Sequence, residues 1–153
     1  MRSLAFALAL AAAPFAASAA ELTIQPPGGA AKVLTQADLE GLPRESVELG
    51  AKTYEGPILA YVLRAGGMPV GAKLHGDPLR AYAVVSGKDG FKAVYSLAEL
   101  DRDYHAGTVI LADKVDGAPL DDKAAPWRLV LSEDKKAWRS VYGVTKIEAT
   151  IVP

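Results

Sequence analysis

The chain has 153 residues, of which half are hydrophobic, and it carries a formal net charge of −1 with no cysteine. These values exclude a disulfide framework and every metal, haem or iron–sulfur site that depends on cysteine ligands. No basic stripe is present, so nucleic acid is not an expected partner. The length predicts one domain that can bury a core without cross-links.

The first 20 residues have the pattern of a secretory signal peptide. Arg2 gives a positive start, residues 4–15 form an apolar run, and Ala17-Ser18-Ala19 offers a small-x-small cleavage site. The run is too short to be a good membrane span. We therefore expect a leader over residues 1–20, a mature domain over residues 21–153, and export to the periplasm without membrane insertion of the mature chain.

Short strands and short helices alternate through the first half of the mature chain. Apolar and β-forming residues predict strands over 22–24, 32–34 and 46–50. Thr35, with Asp38 three positions on, is typical of the N-terminal cap of a brief helix. Pro57 suits the first turn of a second helix, whose apolar residues have helical spacing and which Gly66 and Gly67 end. These helical apolar residues are Ile58, Leu59, Val62 and Leu63.

The second half is richer in strands. Residues 80–86 and 91–95 predict a hairpin around the turn Lys88-Asp89-Gly90. Ser96 and Glu99 form a capping-box pattern that opens a short helix. Further strands are predicted over 108–112, 127–131 and 144–152. Many short strands with a few short helices predict a single α+β domain with mixed sheets.

Several segments, in order, resemble the sulfite-oxidase-type molybdopterin-binding domain. The resemblance extends over residues 53–152, about two-thirds of the chain, which is too long for a chance motif match. It implies a sulfite-oxidase-like α+β fold with a pocket for a pterin. The segments are Tyr54-Glu55-Gly56-Pro57-Ile58-Leu59, Asp89-Gly90-Phe91, Ser96-Leu97-Ala98-Glu99-Leu100, Leu111-Ala112, Asp116-Gly117-Ala118-Pro119-Leu120, Pro126-Trp127-Arg128-Leu129-Val130 and Trp138-Arg139-Ser140-Val141.

One departure from the family pattern decides the functional expectation. The redox enzymes of this family have a cysteine in an extended stretch before the helix, whereas residues 47–54 of this chain contain none. The sulfur ligand of the metal therefore has no counterpart here. The chain resembles instead the small, exported, cysteine-less branch, whose members bind a reduced pterin beside a membrane-bound cyclic-di-GMP enzyme. That resemblance implies a tetrahydropterin or molybdopterin-like ligand, without a metal.

A pterin site needs an aromatic or cationic face for the flat ring and a carboxylate for the N–H donors on the ring edge. Trp138 and Arg139 are the candidates for the ring and its edge, although Trp138 would equally suit the core. The candidate carboxylates are Asp89, Glu99 and Asp101, with Asp89 also suited to its turn and Glu99 to its cap. Arg128 or Lys136 would meet a phosphate. Trp127, beside the apolar strand, is predicted to lie in the core.

Other kinds of site have less support. His75 and His105 lie far apart in sequence and show no metal-ligand spacing, so a metal site is not predicted. No Gly-x-Ser-x-Gly motif of a hydrolase is present. Three hypotheses remain: a non-redox pterin-binding protein that acts as a ligand-sensing accessory to a membrane signalling receptor, a molybdopterin-dependent oxidoreductase that lacks the cysteine ligand, and an interaction protein whose pocket has decayed.

Overall fold

The structure is a computed structural model that describes residues 19–153, so 1–18 of the predicted leader lie outside the described residues. Short strands dominate the described part, and 3-10 turns over Gly71–Lys73, Asp77–Arg80, Ala98–Leu100 and Ala137–Arg139 accompany two α-helices. The α+β fold with mixed sheets is thereby confirmed. The strands and α-helices are β1 (Glu21–Gln25), β2 (Lys32–Thr35), α1 (Gln36–Glu40), β3 (Arg44–Leu49), β4 (Lys52–Pro57), α2 (Leu59–Ala65), β5 (Ala81–Gly87), β6 (Lys92–Ser96), β7 (Val109–Ala112), β8 (Lys114–Val115), β9 (Ala118–Pro119), β10 (Arg128–Leu131) and β11 (Val144–Ile151).

A five-stranded sheet unites the two ends of the described chain. Its strand order is β2-β1-β11-β5-β6, with β1 parallel to β11 and the other neighbours antiparallel. Alternate residues of its strands are buried, as in β5, because successive side chains of a strand point to opposite faces. The buried face packs with α2, and together they form most of the hydrophobic core.

The β7–β10 pair lies between two groups of buried side chains. All eight of its residues are buried, so both faces of the pair are covered. Val109, Leu111, Leu129 and Leu131 belong to the main core with the five-stranded sheet. Ile110, Ala112 and Val130 pack instead with Val47 and Tyr54 in a second, smaller core. Arg128, two residues before Val130, is therefore on the side of β10 that faces the second core.

Gly56 sets the close contact between β4 and the central pair. β4 belongs to a four-stranded sheet, β3-β4-β8-β9. A Cβ atom at Gly56 would lie 2.6 Å from the Cα of Ala112, on β7. Only glycine permits that approach of two backbones. Position 56 thus fixes the distance between the four-stranded sheet and the β7–β10 pair.

The predicted elements are largely confirmed, but the strands β4, β8 and β9 were not predicted, and two of the expected helices differ. Thr35 and Asp38 form the capping box of α1. The helix expected from Pro57 begins at Leu59 instead, because Pro57 ends β4, a strand that the sequence did not predict. The helix expected after Ser96 is only a 3-10 turn, Ala98–Leu100. Within residues 19–153, no helix is long and apolar enough to cross a bilayer.

Candidate functional site

Arg128 is a buried cation at the start of a buried strand. The other residues of β10 are aliphatic, and Arg128 is 5% exposed. Its Nε donates to the Ser140 hydroxyl at 2.8 Å, and its Nη1 donates to the Tyr54 hydroxyl at 2.5 Å. The Ser140 hydroxyl in turn donates to the Leu129 carbonyl at 2.5 Å. The guanidinium is thus held in one orientation by neutral partners.

Two tyrosine rings accompany the Arg128 guanidinium. Its central carbon lies 4.6 Å from the centre of the Tyr54 ring and 4.1 Å from the centre of the Tyr142 ring. Aromatic faces attract cations through their quadrupole, most strongly where water is excluded. The rings therefore stabilise the buried charge without neutralising it.

No carboxylate of the described residues forms an ion pair with Arg128. Asp121 lines the same pocket, but one of its oxygens accepts from the backbone N–H of Ala124. A buried arginine normally has an anionic partner, since desolvation of an unpaired charge is costly. Nη2 of Arg128 also makes no hydrogen bond to the described residues. The arrangement therefore provides a ready site for an acceptor or an anion from outside the domain.

Arg128 opens onto a pocket of about 220 Å³ that is partly open to solvent, named here the inner pocket. A second, more open pocket of about 340 Å³, the outer pocket, shares Ala137 and Tyr142 with it. The inner pocket is lined by Leu49, Lys52, Tyr54, Val115, Leu120, Asp121, Ala124, Arg128, Ala137 and Tyr142. The outer pocket is lined by Asp89, Phe91, Lys123, Ala137, Trp138, Ser140 and Tyr142.

Aromatic side chains and lysines border the outer pocket. Trp138 is 80% exposed, and the Lys136 ammonium lies 4.5 Å from the centre of its ring. Lys123 lies 5.1 Å from the Tyr142 ring centre. Asp89 accepts from the backbone N–H of Phe91 with Oδ1 at 2.9 Å, so its second oxygen stays free of that bond. A flat, electron-rich ring would find both stacking faces and hydrogen-bond partners here.

The structure separates Arg139 and Glu99 from the two pockets. Arg139 donates to both carboxylate oxygens of Asp134, at 2.9–3.2 Å, and to Glu99 Oε1 at 2.5 Å. The hydrogen bonds to Asp134, opposed by burial and assisted by Glu99, raise the pKa of Arg139 above its ordinary value. The backbone N–H of Glu99 is bonded to the Ser96 hydroxyl at 3.1 Å. Neither residue lines the inner or the outer pocket.

Asp101 has a structural environment. It is 1% exposed, and it accepts from the backbone N–H groups of Gly71 and Asp103. Asp101 thereby links the turn at Gly71 to the turn at Asp103, and it lines neither the inner nor the outer pocket. Of the residues proposed from the sequence, the structure thus places Arg128 in the inner pocket and Asp89 and Trp138 in the neighbouring outer pocket. It places Arg139, Glu99 and Asp101 in neither pocket.

Tyr54 and Tyr142, the two rings beside Arg128, were not among the site residues proposed from the sequence. Tyr54 is the first residue of the first segment that carries the family resemblance, and Tyr142 directly follows the last segment. Each contacts Arg128 only through the folding of distant parts of the chain. The available signal was the presence of a tyrosine beside each motif.

The pockets suit a pterin but not a thiolate-held metal. The tyrosine and tryptophan rings can stack on a flat ring, Arg128 can donate to its carbonyl or to a phosphate, and Asp89 can accept from its edge. The chain has no cysteine to bind a metal. Within residues 19–153, no three His, Cys, Asp or Glu side chains converge as metal ligands.

No protein-family model matches the chain, and no curated protein matches its sequence. Among solved structures, the chain is similar to the sulfane dehydrogenase SoxCD from Paracoccus pantotrophus, with a TM-score of 0.62 and 18% sequence identity. The similarity covers 86% of this chain and 38% of that chain, so this chain spans well under half of that protein. At this identity the likeness shows the fold, and it confirms the sulfite-oxidase-like fold predicted from the sequence.

Proposed function

We propose that this protein is an exported, non-redox binding protein for a pterin. The observation that carries the proposal is Arg128, a buried guanidinium without a carboxylate partner among the described residues, in the lining of the inner pocket, which adjoins the outer pocket at Ala137 and Tyr142. A fold built only for stability would gain from replacing such a charge with an apolar residue. A ligand that supplies an acceptor or an anion explains why the cation is present.

The proposed ligand lies across both pockets. Its carbonyl oxygen or phosphate accepts from Arg128, close to the Tyr54 and Tyr142 rings. The flat ring extends towards Trp138, and the free oxygen of Asp89 accepts from the ring edge. Lys136 and Lys123 add positive charge at the outer pocket, which favours a tetrahydropterin or a molybdopterin-like pterin with a phosphate over a cationic ligand.

The absence of cysteine favours binding over redox chemistry. A molybdopterin-dependent oxidoreductase without its cysteine ligand is the alternative, and metal content separates the two. We expect less than about one-tenth of an equivalent of molybdenum or tungsten in protein purified from the periplasm of molybdate-supplied cells, since thiolate is the ligand that such a site uses. Near-stoichiometric metal in that protein would favour the oxidoreductase.

Calorimetry under anaerobic conditions tests the pterin proposal. We expect tetrahydropterin, or a pterin with a side-chain phosphate, to bind, and Arg128→Lys to weaken the affinity at least about tenfold, because lysine cannot reproduce the guanidinium fork. Arg80→Lys is the matched control, since Arg80 is exposed and pairs with Asp77 away from both pockets. Absence of binding by the unchanged protein, or equal loss in both variants, would refute the proposal.

The leader and the resemblance support a partner in the same compartment. The proposed partner is the periplasmic domain of a membrane cyclic-di-GMP enzyme, for which this protein serves as a ligand-sensing accessory. Cell fractionation tests the periplasmic location. Co-purification of the two proteins, with and without tetrahydropterin, tests the accessory role; a complex that forms equally in both conditions would refute ligand sensing.

A further inference from the structure

Lys88, in the hairpin turn between β5 and β6, bonds a segment that lies far along the chain. Its ammonium donates to the backbone carbonyl of Asp122 and, at 2.8 Å, to the backbone carbonyl of Ala125. Among the described residues, no other group donates to either carbonyl. Hydrogen bonds from a charged donor are stronger than those between neutral groups. The ammonium therefore joins the hairpin turn to this distant segment.

The stem and the backbone of Lys88 are held as well. A Cβ atom at Gly143 would lie 2.8–2.9 Å from three stem carbons of Lys88, so the stem passes directly over this glycine. Gly143 has a φ of +56°, which favours glycine. Its carbonyl accepts from the backbone N–H of Lys88 at 2.8 Å, and its own N–H donates to the carbonyl of Ala124 at 3.0 Å. Lys88 thus contacts the residue that follows Tyr142, a side chain common to both pockets.

The segment that Lys88 bonds forms part of the lining of both pockets. Residues 121–125, named here the wall turn, are closed by hydrogen bonds from the N–H groups of Ala124 and Ala125 to the Asp121 carbonyl, at 3.0 and 2.8 Å. Asp121 and Ala124 line the inner pocket, whereas Lys123 lines the outer pocket. The position of this one turn therefore affects the shape of the inner and the outer pocket together.

We infer that Lys88 is a positioning residue, which fixes the wall turn and thereby the shape of both pockets. Lys88 itself lines neither pocket, so it acts on a ligand through the wall turn. Without the ammonium, two carbonyls of the turn lose their donor, and the turn opens more often. A site that is complete for a smaller fraction of the time binds its ligand more weakly in proportion. The effect on a pterin rests on the proposed function, whereas the effect on the turn does not.

Hydrogen exchange tests the position of the wall turn without a ligand. We expect Lys88→Met, which keeps an unbranched stem and removes the ammonium, to speed exchange of the amides of the wall turn and of Gly143 at least about tenfold. The amides of β7 and β10 should exchange as before. Lys92→Met is the matched control, since Lys92 is an exposed lysine on β6 that forms no ion pair within the described residues. Equal effects of the two substitutions, or faster exchange throughout the protein in Lys88→Met, would overturn the inference.

Calorimetry with tetrahydropterin measures the consequence for the ligand. We expect the dissociation constant to rise at least about tenfold in Lys88→Met and to change less than about twofold in Lys92→Met, which removes the same charge. Lys88→Arg should restore most of the affinity, because a guanidinium can also donate to two carbonyls. Unchanged affinity in Lys88→Met, or an equal loss in Lys88→Arg, would overturn the positioning role. Absence of binding by the unchanged protein would refute the proposed function alone, and hydrogen exchange then decides whether Lys88 fixes the wall turn.

Discussion

Tyr95 donates its hydroxyl proton to the backbone carbonyl of Arg139, while the Arg139 guanidinium lies 4.9 Å from the centre of the Tyr95 ring. The two residues thereby hold each other at two points. Tyr95 lies on β6, so these two contacts anchor the 3-10 turn that carries Trp138 to that strand. The ion pairs of Arg139 with Asp134 and Glu99 hold the same turn in place. The most exposed aromatic side chain of the pockets is thus presented from a fixed backbone.

Tyr95 should make the fold sensitive to alkaline pH. Burial raises the pKa of Tyr95 above its ordinary value of about 10. The positive charge of Arg139 opposes this shift, and the negative charges of Asp134 and Glu99 add to it. Because the pKa of Tyr95 is higher in the folded state, the contribution of Tyr95 to the free energy of unfolding is complete below about pH 10. That contribution is lost as the pH rises above this value. Denaturant unfolding between pH 8 and 11 should show this loss, and Tyr95→Phe should remove that part of the pH dependence. An unchanged slope in the variant would contradict the assignment.

The two tryptophans should respond differently to truncation. Trp127 is fully buried in the main core, as predicted, so Trp127→Ala should lower the free energy of unfolding by about 3–5 kcal/mol. Trp138 is mostly exposed, so Trp138→Ala should leave stability nearly unchanged and weaken pterin binding by more than about 1 kcal/mol. Urea denaturation and calorimetry measure the two effects. The reverse pattern would show that the roles are exchanged.

Gly56 should tolerate no side chain. A methyl group there would collide with the backbone of β7, so Gly56→Ala should cost about 3 kcal/mol of stability. Gly41→Ala is the matched control, because Gly41 has ordinary helical angles and no atom within 4 Å of the position of a Cβ. Thermal unfolding of both variants is the measurement. Equal melting temperatures would mean that β4 can move away from β7 at little cost.

The three candidate carboxylates should separate into binding and folding roles. Asp89→Asn should weaken tetrahydropterin binding by about 1–3 kcal/mol, because an acceptor that faces the ring edge becomes a donor. Asp101→Asn should instead cost about 1–3 kcal/mol of stability, since its oxygens accept two backbone N–H groups in the interior. Glu99→Gln should alter mainly the position of Arg139. Unchanged affinity in all three variants would mean that backbone groups bind the ring edge, or that pterin is not the ligand.

Strands with alternating side chains were predictable from the sequence, whereas β4 was not. The segment Lys52–Pro57 contains a glycine, a proline and two charged residues, which local propensity disfavours in a strand. It is a strand because β3 and β8 pair with it on both sides. Partners that lie far away in sequence, such as Val115 for Tyr54, decide its conformation.

The site was predictable only where a residue's role is local to a motif. Arg128 stands in a strand motif and Asp89 in a turn, so both could be proposed from the sequence. The enclosure of Arg128 by Tyr54 and Tyr142 depends on the packing of three separate segments. The ion pair between Arg139 and Asp134 depends on the conformation of the loop between these two residues, which no periodic sequence pattern specifies.

The parallel contact between β1 and β11 affects the order in which the sheet can assemble. β11, residues 144–151, lies between β1 and β5 in the sheet. Each of these two strands therefore lacks one of its two neighbours until almost the whole chain is available. Contacts between residues so distant in sequence form slowly, because loop closure must come first. A chain stopped before residue 144 would expose two apolar strand edges at once, and we expect such a fragment to aggregate rather than fold.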